Sequence, residues 1–385
     1  MGEPKLRFKA DDGSDFPDWE EMTLGDVGSV AMCKRVFKEQ TCEVGDVPFF
    51  KIGTFGGAPD AYISQSLFDE LKSKYAYPKV GTILLSASGT IGRQVEYKGE
   101  DAYYQDSNIV WLEHDDTVLD SYLKQFYSVV KWQGLEGSTI KRLYNKTILD
   151  TPFYRPSLPE QRKIGDFLSA VDAVIAAQQA EVDAWEQRKK GVMQKLFSQE
   201  VRFKADDGSD FPDWNETRLN KLCEYGTNRG TGGNYVGTEN MLKDFGGVAV
   251  ENRESEGTGS LYGPGDTLMS NIRPYLKKVW TADCEGACST DILVFHPTNV
   301  VPDFLHYVIA SDSFVAYVMS AAKGSKMPRG DKAHIMQMPV FVPDKDEQLK
   351  IADCLSSMDE VIQKSKDELA KWQELKKGLL QQMFV

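Results

Sequence analysis

The chain has 385 residues, which is enough for two or three domains that each bury a core of their own. Its 45 basic and 58 acidic residues give a formal net charge of −13, which argues against a nucleic-acid partner unless a local basic face is present. It contains no run of about 18 apolar residues, which argues against a membrane-spanning helix. Because the first residues lack the apolar region of a secretory signal, we expect a cytoplasmic protein.

A segment near the start of the sequence occurs twice. Residues 7–19 (RFKADDGSDFPDW) return unchanged at residues 202–214, which is 195 positions later. Residues 160–164 (EQRKI) return at 347–351 as EQLKI. Solenoid repeats are only about 20–50 residues long. The sequence therefore predicts two copies of one larger unit, each a domain followed by a helix.

These landmarks divide the chain into six segments. We expect two repeat segments, two variable domains and two long helices, in the order 1–19, 20–157, 158–201, 202–214, 215–343 and 344–385.

The first variable domain reads as mixed α/β. Residues 82–85 and 109–112 are rich in β-formers and predict strands, and the apolar spacing of 121–131 predicts a helix. A polar stretch follows the first of these strands and supplies three candidate contacts to a nucleic acid. They are Ser88, Thr90 and Arg93. A tight hairpin held by Gly89 and Gly92 is the alternative.

A basic stretch follows in the same domain. Residues 137–146 carry Lys141, Arg142 and Lys146 and no acidic residue. In an acidic protein this stretch is a second candidate for contacts to phosphates, and a solvated loop is the alternative.

The first long helix is predicted by apolar residues that alternate at spacings of four and three, as in the seam of a coiled coil. Its seam comprises Ile164, Leu168, Val171, Ile175, Val182 and Trp185, with Gln178 as a polar interruption.

The second variable domain repeats the landmarks of the first. Residues 265–270 (GDTLMS) correspond to 81–86 (GTILLS), 291–295 predict a strand, and 303–320 predict a helix. The stretch after Ser270 supplies Asn271, Arg273 and Tyr275 as candidate contacts. A basic loop at the corresponding offset supplies Lys326, Arg329 and Lys332.

The second long helix has a matching seam, formed by Ile351, Leu355, Met358, Ile362, Leu369 and Trp372, with Ser365 as the interruption. Each helix of about 38 residues would be roughly 57 Å long. We expect the two to pair antiparallel, with Gln178 opposite Ser365 fixing the register. The alternative is that each helix packs only on its own domain.

Motifs of catalysis and metal binding are missing from the sequence. It has no Walker-type phosphate loop, no His-Glu-x-x-His motif, and no Pro-Pro-aromatic tetrapeptide of the kind that amino-methyltransferases use to grip a base. Six cysteines and four histidines are scattered, so neither a disulfide framework nor a zinc site is expected. Residues 11–15 (DDGSD) resemble a calcium loop but place the glycine wrongly.

In the order of its segments the chain resembles the specificity subunit of a Type I restriction-modification system. The resemblance spans essentially the whole length and includes residues 50–53 (FKIG), 86–92 (SASGTIG), 158–164 (LPEQRKI), 235–240 (YVGTEN) and 346–351 (DEQLKI). It implies an α+β fold with two target-recognition domains related by a pseudo-twofold and separated by an antiparallel coiled coil.

The same resemblance implies a function. Each variable domain would read one half of a split site in double-stranded DNA, and the helices would set the gap. Two modification subunits holding S-adenosylmethionine would dock on the chain, joined by restriction subunits that use ATP and Mg²⁺. The chain itself would then be non-catalytic and hold no cofactor or metal.

Two other classes stay open at this stage. A coiled-coil scaffold that binds only proteins is favoured by the acidic charge, and a DNA shift assay tests it. A self-sufficient DNA enzyme is favoured only by the α/β domains, and a methyl-transfer assay of the chain alone tests it.

Overall fold

A computed structural model describes residues 4–132 and 142–384 of the chain. The chain forms two units, named here unit 1 and unit 2. Unit 1 combines Met1–Gln179 with Asp367–Val385, and unit 2 is the continuous segment Ala180–Lys366. Each unit therefore contains a segment of each long helix that the sequence predicts.

Unit 1 is built from short strands and helices that precede a long helix. Its strands are β1 (Glu20–Thr23), β2 (Gly28–Ala31), β3 (Val47–Phe50), β4 (Tyr62–Ile63), β5 (Ile83–Ser86), β6 (Gln94–Glu96), β7 (Tyr103–Tyr104), β8 (Ile109–His114) and β9 (Pro152–Arg155). Its helices are α1 (Leu24–Val27), α2 (Gln65–Lys74), α3 (Asp120–Val129), α4 (Asn145–Leu149) and the first part of α5 (Leu158–Phe197). A 3₁₀ helix spans Lys38–Gln40.

The main sheet of unit 1 is antiparallel, with the strand order β2-β8-β5-β6. Side chains alternate between the two faces of a strand. Along β8, Val110 and Leu112 accordingly enter one core, and Ile109 and Trp111 enter another. A second sheet has the order β4-β3-β7, with β3 and β7 parallel, and β1 pairs with β9. The first four residues of β8 are thus apolar because both faces of the strand are covered.

Unit 2 repeats this plan. Its strands are β10 (Asn215–Arg218), β11 (Cys223–Tyr225), β12 (Arg229–Tyr235), β13 (Glu254–Tyr262), β14 (Thr267–Ser270), β15 (Val279–Thr281), β16 (Gly286–Cys288), β17 (Ile292–Pro297) and β18 (Pro339–Val342). Its helices are α6 (Pro302–Ile309), α7 (Asp312–Ser320), α8 (Lys332–Ile335) and the first part of α9 (Lys345–Phe384), together with the end of α5. Short 3₁₀ helices span Leu219–Lys221, Val250–Asn252 and Pro274–Leu276.

The main sheet and the two-stranded sheet of unit 2 match those of unit 1 in strand order, whereas the three-stranded sheet is paired differently and is antiparallel throughout. The main sheet runs β11-β17-β14-β15, a three-stranded sheet runs β12-β13-β16, and β10 pairs with β18. The side chains of the central strand β17 again alternate between two cores. Leu293 and Phe295 enter one core, and Ile292 and Val294 enter another. The duplication predicted from the repeats therefore extends to the main sheet, although its sequence has diverged.

The sequence prediction of one helix over 303–320 is wrong in one respect, because the structure divides it into α6 and α7. Ser311 lies between the two helices in an extended conformation, and its hydroxyl accepts a hydrogen bond from the backbone N–H of Phe314. Serine at an N-cap starts a new helix in this way. Apolar spacing alone does not reveal such a break, since both helices present apolar faces to the same core.

The repeated segment of unit 1, residues 7–19, is hydrogen-bonded to the start of α5. Nε and Nη2 of Arg7 donate to the carboxylate of Glu160 over 3.1 and 2.9 Å, and Nε1 of Trp19 donates to it over 3.0 Å. The side chain of Glu160 is fully buried. A buried carboxylate is tolerated only when it is paired and hydrogen-bonded. Arg7, Trp19 and Glu160, named here the clasp of unit 1, therefore depend on one another.

Unit 2 contains the same clasp. Arg202 donates to Glu347 over 3.2 and 2.8 Å, and Trp214 donates over 3.0 Å. The side chain of Glu347 is likewise fully buried. The neighbouring Gln348 accepts from the backbone of Val301 and donates to Pro343, which ties the start of α9 to the domain. These contacts give a physical reason for the repeated residues at both places.

The helices α5 and α9 have 40 residues each, which corresponds to about 60 Å. In unit 1, Lys376 pairs with Asp172, while Ile164 and Leu168 share a core with Met383. The two segments therefore run antiparallel in unit 1.

In unit 2, Lys189 pairs with Asp359 over 2.5 Å and Glu186 pairs with Lys366 over 2.7 Å. The segments of α5 and α9 therefore run antiparallel in this unit as well. Within the described part of the chain, none of the helices has both the length and the apolar character needed to cross a membrane.

The predicted seam positions differ in exposure. The buried ones are Ile164, Leu168, Val171, Val182, Ile351, Leu355, Ile362, Ser365 and Leu369. Partly buried are Ile175, Gln178, Trp185 and Met358. Trp372 is 36% exposed. Gln178 belongs to unit 1 and Ser365 to unit 2, and their pairing stays a prediction.

Candidate nucleic-acid interface

The loop after β5 is a closed hairpin turn. The backbone N–H of Gly92 donates to the carbonyl of Ser86 over 2.9 Å, and the N–H of Arg93 donates to the Ser86 hydroxyl over 2.8 Å. Gly89 and Gly92 have φ values of 67° and 77°, in the region that favours glycine. Thr90 and Arg93 are exposed on this turn. The structure thus contains the predicted hairpin, and the hairpin also exposes polar side chains to solvent.

Arg142 is held against this turn by backbone and side chain. It forms a β-bridge with Ser88, and the next residue, Leu143, donates its N–H to the carbonyl of Ala87 over 2.8 Å. The amide oxygen of Asn108 accepts from the Ser88 hydroxyl over 2.8 Å and from Nη2 of Arg142 over 3.5 Å. Ser88 is buried and Arg142 is exposed. The structure therefore presents Arg142 on the surface, beside the end of the central sheet.

Unit 2 has the same arrangement around Arg329. This arginine forms a β-bridge with Ile272, which follows β14 as Ser88 follows β5. Its Nη2 lies 3.1 Å from the carboxylate of Asp291. Asp291 precedes β17 as Asn108 precedes β8. Arg142 and Arg329 therefore occupy equivalent places.

The backbone confirms that the two places correspond. The N–H of Ala87 donates to the carbonyl of Asn108 over 2.7 Å, and the N–H of Asn271 donates to the carbonyl of Asp291 over 2.8 Å. The main difference is chemical, because a neutral amide contacts the arginine in unit 1 and a carboxylate contacts it in unit 2. We name Arg142 with Asn108, and Arg329 with Asp291, the arginine pairs.

Two further candidates of unit 2 lie half-buried beside its arginine pair. The amide oxygen of Asn271 is buried and has no hydrogen-bond partner among the described residues, and the same holds for Nε of Arg273. The N–H of Arg273 donates to the carbonyl of Pro328, next to Arg329. The structure thus brings Asn271, Arg273 and Arg329 together.

The start of α8 fixes the last part of the basic loop. Asp331 accepts a hydrogen bond from Lys323 over 2.8 Å and caps the backbone N–H groups of Ala333 and His334. The hydrogen bond from Lys323 is the largest cause that lowers the pKa of Asp331, to about 2. Lys332 is exposed at the first position of this helix.

The remaining candidates are placed as follows. Lys146 on α4, Tyr275 in a 3₁₀ helix and Lys326 in the basic loop are exposed. Lys141 lies outside the described residues. In the described part of the chain, Lys146, Lys326 and Lys332 make no ion pair, so their charges are available to an anion.

The side chains that the structure describes form no cluster of metal ligands. Among them, no group of three or more His, Cys, Asp or Glu residues converges on a point that could hold a metal ion. All six cysteines are free, including Cys284 and Cys288. What the sites can offer is hydrogen-bond donors and positive charge, which suits contacts to phosphates and base edges.

Sequence reasoning missed Asn108 and Asp291. Each is the last residue of a short polar stretch in front of an apolar strand, and such a stretch usually indicates a turn. The available signal was their equivalent placement before the strands now seen as β8 and β17.

Residues 17–184 match the family model of the Type I restriction modification DNA specificity domain. The predicted resemblance to specificity subunits of Type I restriction-modification systems is confirmed, and so is the predicted fold with mixed α/β domains and two long antiparallel helices.

Individual relatives agree with this class. The putative Type I restriction enzyme specificity subunit S.HindORF215P of Haemophilus influenzae is 55% identical over 152 residues, which is 39% of this chain and 40% of that protein. The Type I restriction enzyme MjaVIII specificity subunit of Methanocaldococcus jannaschii is 22% identical over 312 residues, or 71% of this chain and 72% of the relative. The chain thus matches less than half the length of the first relative.

A solved structure supports the fold over the whole chain. The crystal structure of the Type I restriction-modification system S subunit from M. genitalium has a TM-score of 0.61 and 15% sequence identity. The match covers 100% of this chain and 99% of that one. At this identity the likeness is one of fold.

Proposed function

We propose that the chain is the DNA-recognition subunit of a Type I restriction-modification complex and that each unit reads one half of a bipartite, gapped target. The observation that carries the proposal is the equivalent position of Arg142 and Arg329, each bridged to the loop after a central strand. Arginine contacts guanine through two hydrogen bonds or binds phosphate. Two equivalent arginines in two diverged domains suit a site made of two different halves.

The long helices fit a second part of the proposal. Each is about 60 Å long, compared with about 34 Å for one turn of DNA. A rigid helical spacer would make the gap between half-sites part of what is recognised. Its remaining surface would dock two modification subunits.

The chemistry lies outside this chain in the proposal. S-adenosylmethionine would be held by the modification subunits, and ATP and Mg²⁺ by restriction subunits that join them. The chain would act by positioning these partners on double-stranded DNA in the cytoplasm. The donor-rich surface around the arginine pairs supports such a binding role.

The deciding experiment is genome-wide mapping of adenine methylation. A host that carries this chain with its modification subunit is compared with the same host lacking only this chain. We expect a split, gapped motif that disappears when the chain is removed. Methylation that is unchanged by the removal would contradict the proposal and favour a protein-binding scaffold.

Point variants test the assignment to the arginine pairs. We expect Arg142→Ala and Arg329→Ala to weaken DNA binding, by about 1–3 kcal/mol where the arginine reads a base, and each to relax a different half of the motif. Lys79→Ala and Lys221→Ala are matched controls, since both lysines are exposed and make no ion pair in the part of the chain described here. If both arginine variants keep full affinity and an unchanged salt dependence, the assignment is wrong.

A further inference from the structure

A second basic feature lies in unit 2, beside the arginine pair. It is an open cavity of about 310 Å³ between strands β11, β12, β13 and β17 and the start of α8. Five polar side chains that line it come from four separate places in the chain. They are Thr227, Arg229, Ser260, Thr290 and Lys332.

The cavity is positively charged in an acidic protein. Arg229 and Lys332 line it, and none of its lining residues is acidic, although the chain as a whole carries a net charge of −13. Both cations are exposed, and neither forms an ion pair with any residue that the structure describes. Neither charge is therefore engaged by a carboxylate in the described part of the chain.

The hydroxyl groups add to this character. The side chains of Thr227, Ser260 and Thr290 make no hydrogen bond to the other described residues, so each hydroxyl can donate to a bound anion. Serine and threonine hydroxyls, arginine and lysine are all among the side chains that bind phosphate oxygens of DNA.

The backbone holds the cavity in place. Arg229 and Ser260 are paired across the β12–β13 ladder. The hydroxyl of Tyr225 donates to the backbone carbonyl of Lys332 over 3.0 Å, which ties α8 to the edge of β11. Thr290 directly precedes Asp291, the carboxylate that contacts Arg329. The cavity is thus fixed next to the proposed reading site.

We infer that this cavity binds a backbone phosphate of the DNA and orients the duplex for the arginine pair of unit 2. The inference rests on the proposed function and adds a contact that carries no sequence information. Arg229, which the sequence did not single out, is a positioning residue in this scheme. Lys332 supplies the second positive charge.

The salt dependence of DNA binding tests the inference. The full chain is titrated with a mixed-sequence duplex at several salt concentrations, as wild type and as Arg229→Gln, Lys332→Gln and the double variant. Each phosphate neutralised contributes about 0.9 to the slope of log affinity against log salt. We expect the double variant to lose at least this amount. Between about 50 and 200 mM salt, the wild-type affinity should then fall at least about threefold further than that of the double variant.

Two controls separate charge from fold. Lys221→Gln removes an exposed lysine near the opposite end of β11, which makes no ion pair with the residues that the structure describes, and should leave the slope unchanged. Arg229→Lys keeps the charge and should keep the slope. Because Arg229 and Lys332 are exposed, the thermal unfolding of all variants should match that of the wild type.

The outcomes are distinguishable. A double variant with the wild-type slope would overturn the assignment of the cavity as a phosphate site. It would leave the proposed function intact, provided that Arg329→Ala still weakens DNA binding. A changed methylation motif in the Arg229→Gln variant would show base reading and also overturn the phosphate assignment. A wild-type chain that binds no DNA at all would overturn the proposed function and the cavity with it.

Discussion

Replacing Asp291 by asparagine should strengthen DNA binding by unit 2. Arg329 lies 3.1 Å from the Asp291 carboxylate, with the two side chains 55% and 33% exposed, so this ion pair would compete with a contact from Arg329 to DNA. Exposed ion pairs contribute about 0.2–1 kcal/mol. Asp291→Asn should therefore raise the affinity roughly 1.4- to fivefold.

Unit 1 supplies the reverse experiment. Asn108 occupies the equivalent position beside Arg142 and is neutral. Asn108→Asp should create the ion pair that unit 2 has, and we expect it to weaken binding by a similar factor. Each variant thus gives the arginine of its unit the partner side chain that the other unit has.

The assay is fluorescence anisotropy of a labelled mixed-sequence duplex with the full chain, at about 0.1 M salt, where exposed charges still interact over about 10 Å. Asp303→Asn is the matched control, because it removes the same charge at the start of α6, beyond the opposite end of β17. Unchanged affinity in both Asp291→Asn and Asn108→Asp would refute the reasoning. So would an Asp303→Asn variant that binds as tightly as Asp291→Asn.

Three further predictions concern stability and spacing. Glu160→Gln and Glu347→Gln should each lower the free energy of unfolding of their own unit by about 2–4 kcal/mol, because each removes the charge that accepts three hydrogen bonds in a clasp. Hydrogen exchange resolved by unit measures this, and a loss below about 1 kcal/mol would speak against the clasp. Burial, with a smaller effect of Lys189, lowers the pKa of His306 from 6.5 to about 4. The unfolded chain then takes up this proton first, so unit 2 should lose up to about 3 kcal/mol as the pH falls from about 6.5 to 4. A pH series of denaturant titrations should show a smaller loss for His306→Asn, and equal losses would exclude this cause. Deleting one heptad from α5 should change the accepted gap in methylation maps and leave both half-sites unchanged, whereas an unchanged gap would contradict the spacer role.

The sequence predicted the parts of the fold that depend on local pattern. Heptad spacing located both long helices, and runs of β-formers located the strands now seen as β5, β8 and β17. Identical segments at residues 7–19 and 202–214 revealed the duplication. Each of these signals is a local pattern or a repeat of one, so a single sequence contains them.

Contacts between distant residues were not predictable in this way. Arg7 and Glu160 are 153 positions apart, and no periodicity links them. The basic loops were found by composition, but the partner of each arginine was not. Asn108 and Asp291 acquire their role only when β8 and β17 bring them beside loops that come much later in the chain.

The division of the chain has a consequence for biosynthesis. Unit 2 is continuous, whereas unit 1 needs Asp367–Val385, which follow unit 2 in the chain. Phe384 packs against Tyr122 and Trp19, with ring centroids 5.3 and 6.5 Å apart, and Met383 is buried in the same core. A ribosome therefore releases all of unit 2 before it delivers the residues that complete unit 1. Most of unit 1 is translated first but completes its fold last, so a chain truncated after Lys366 would lose part of unit 1 and keep all the residues of unit 2.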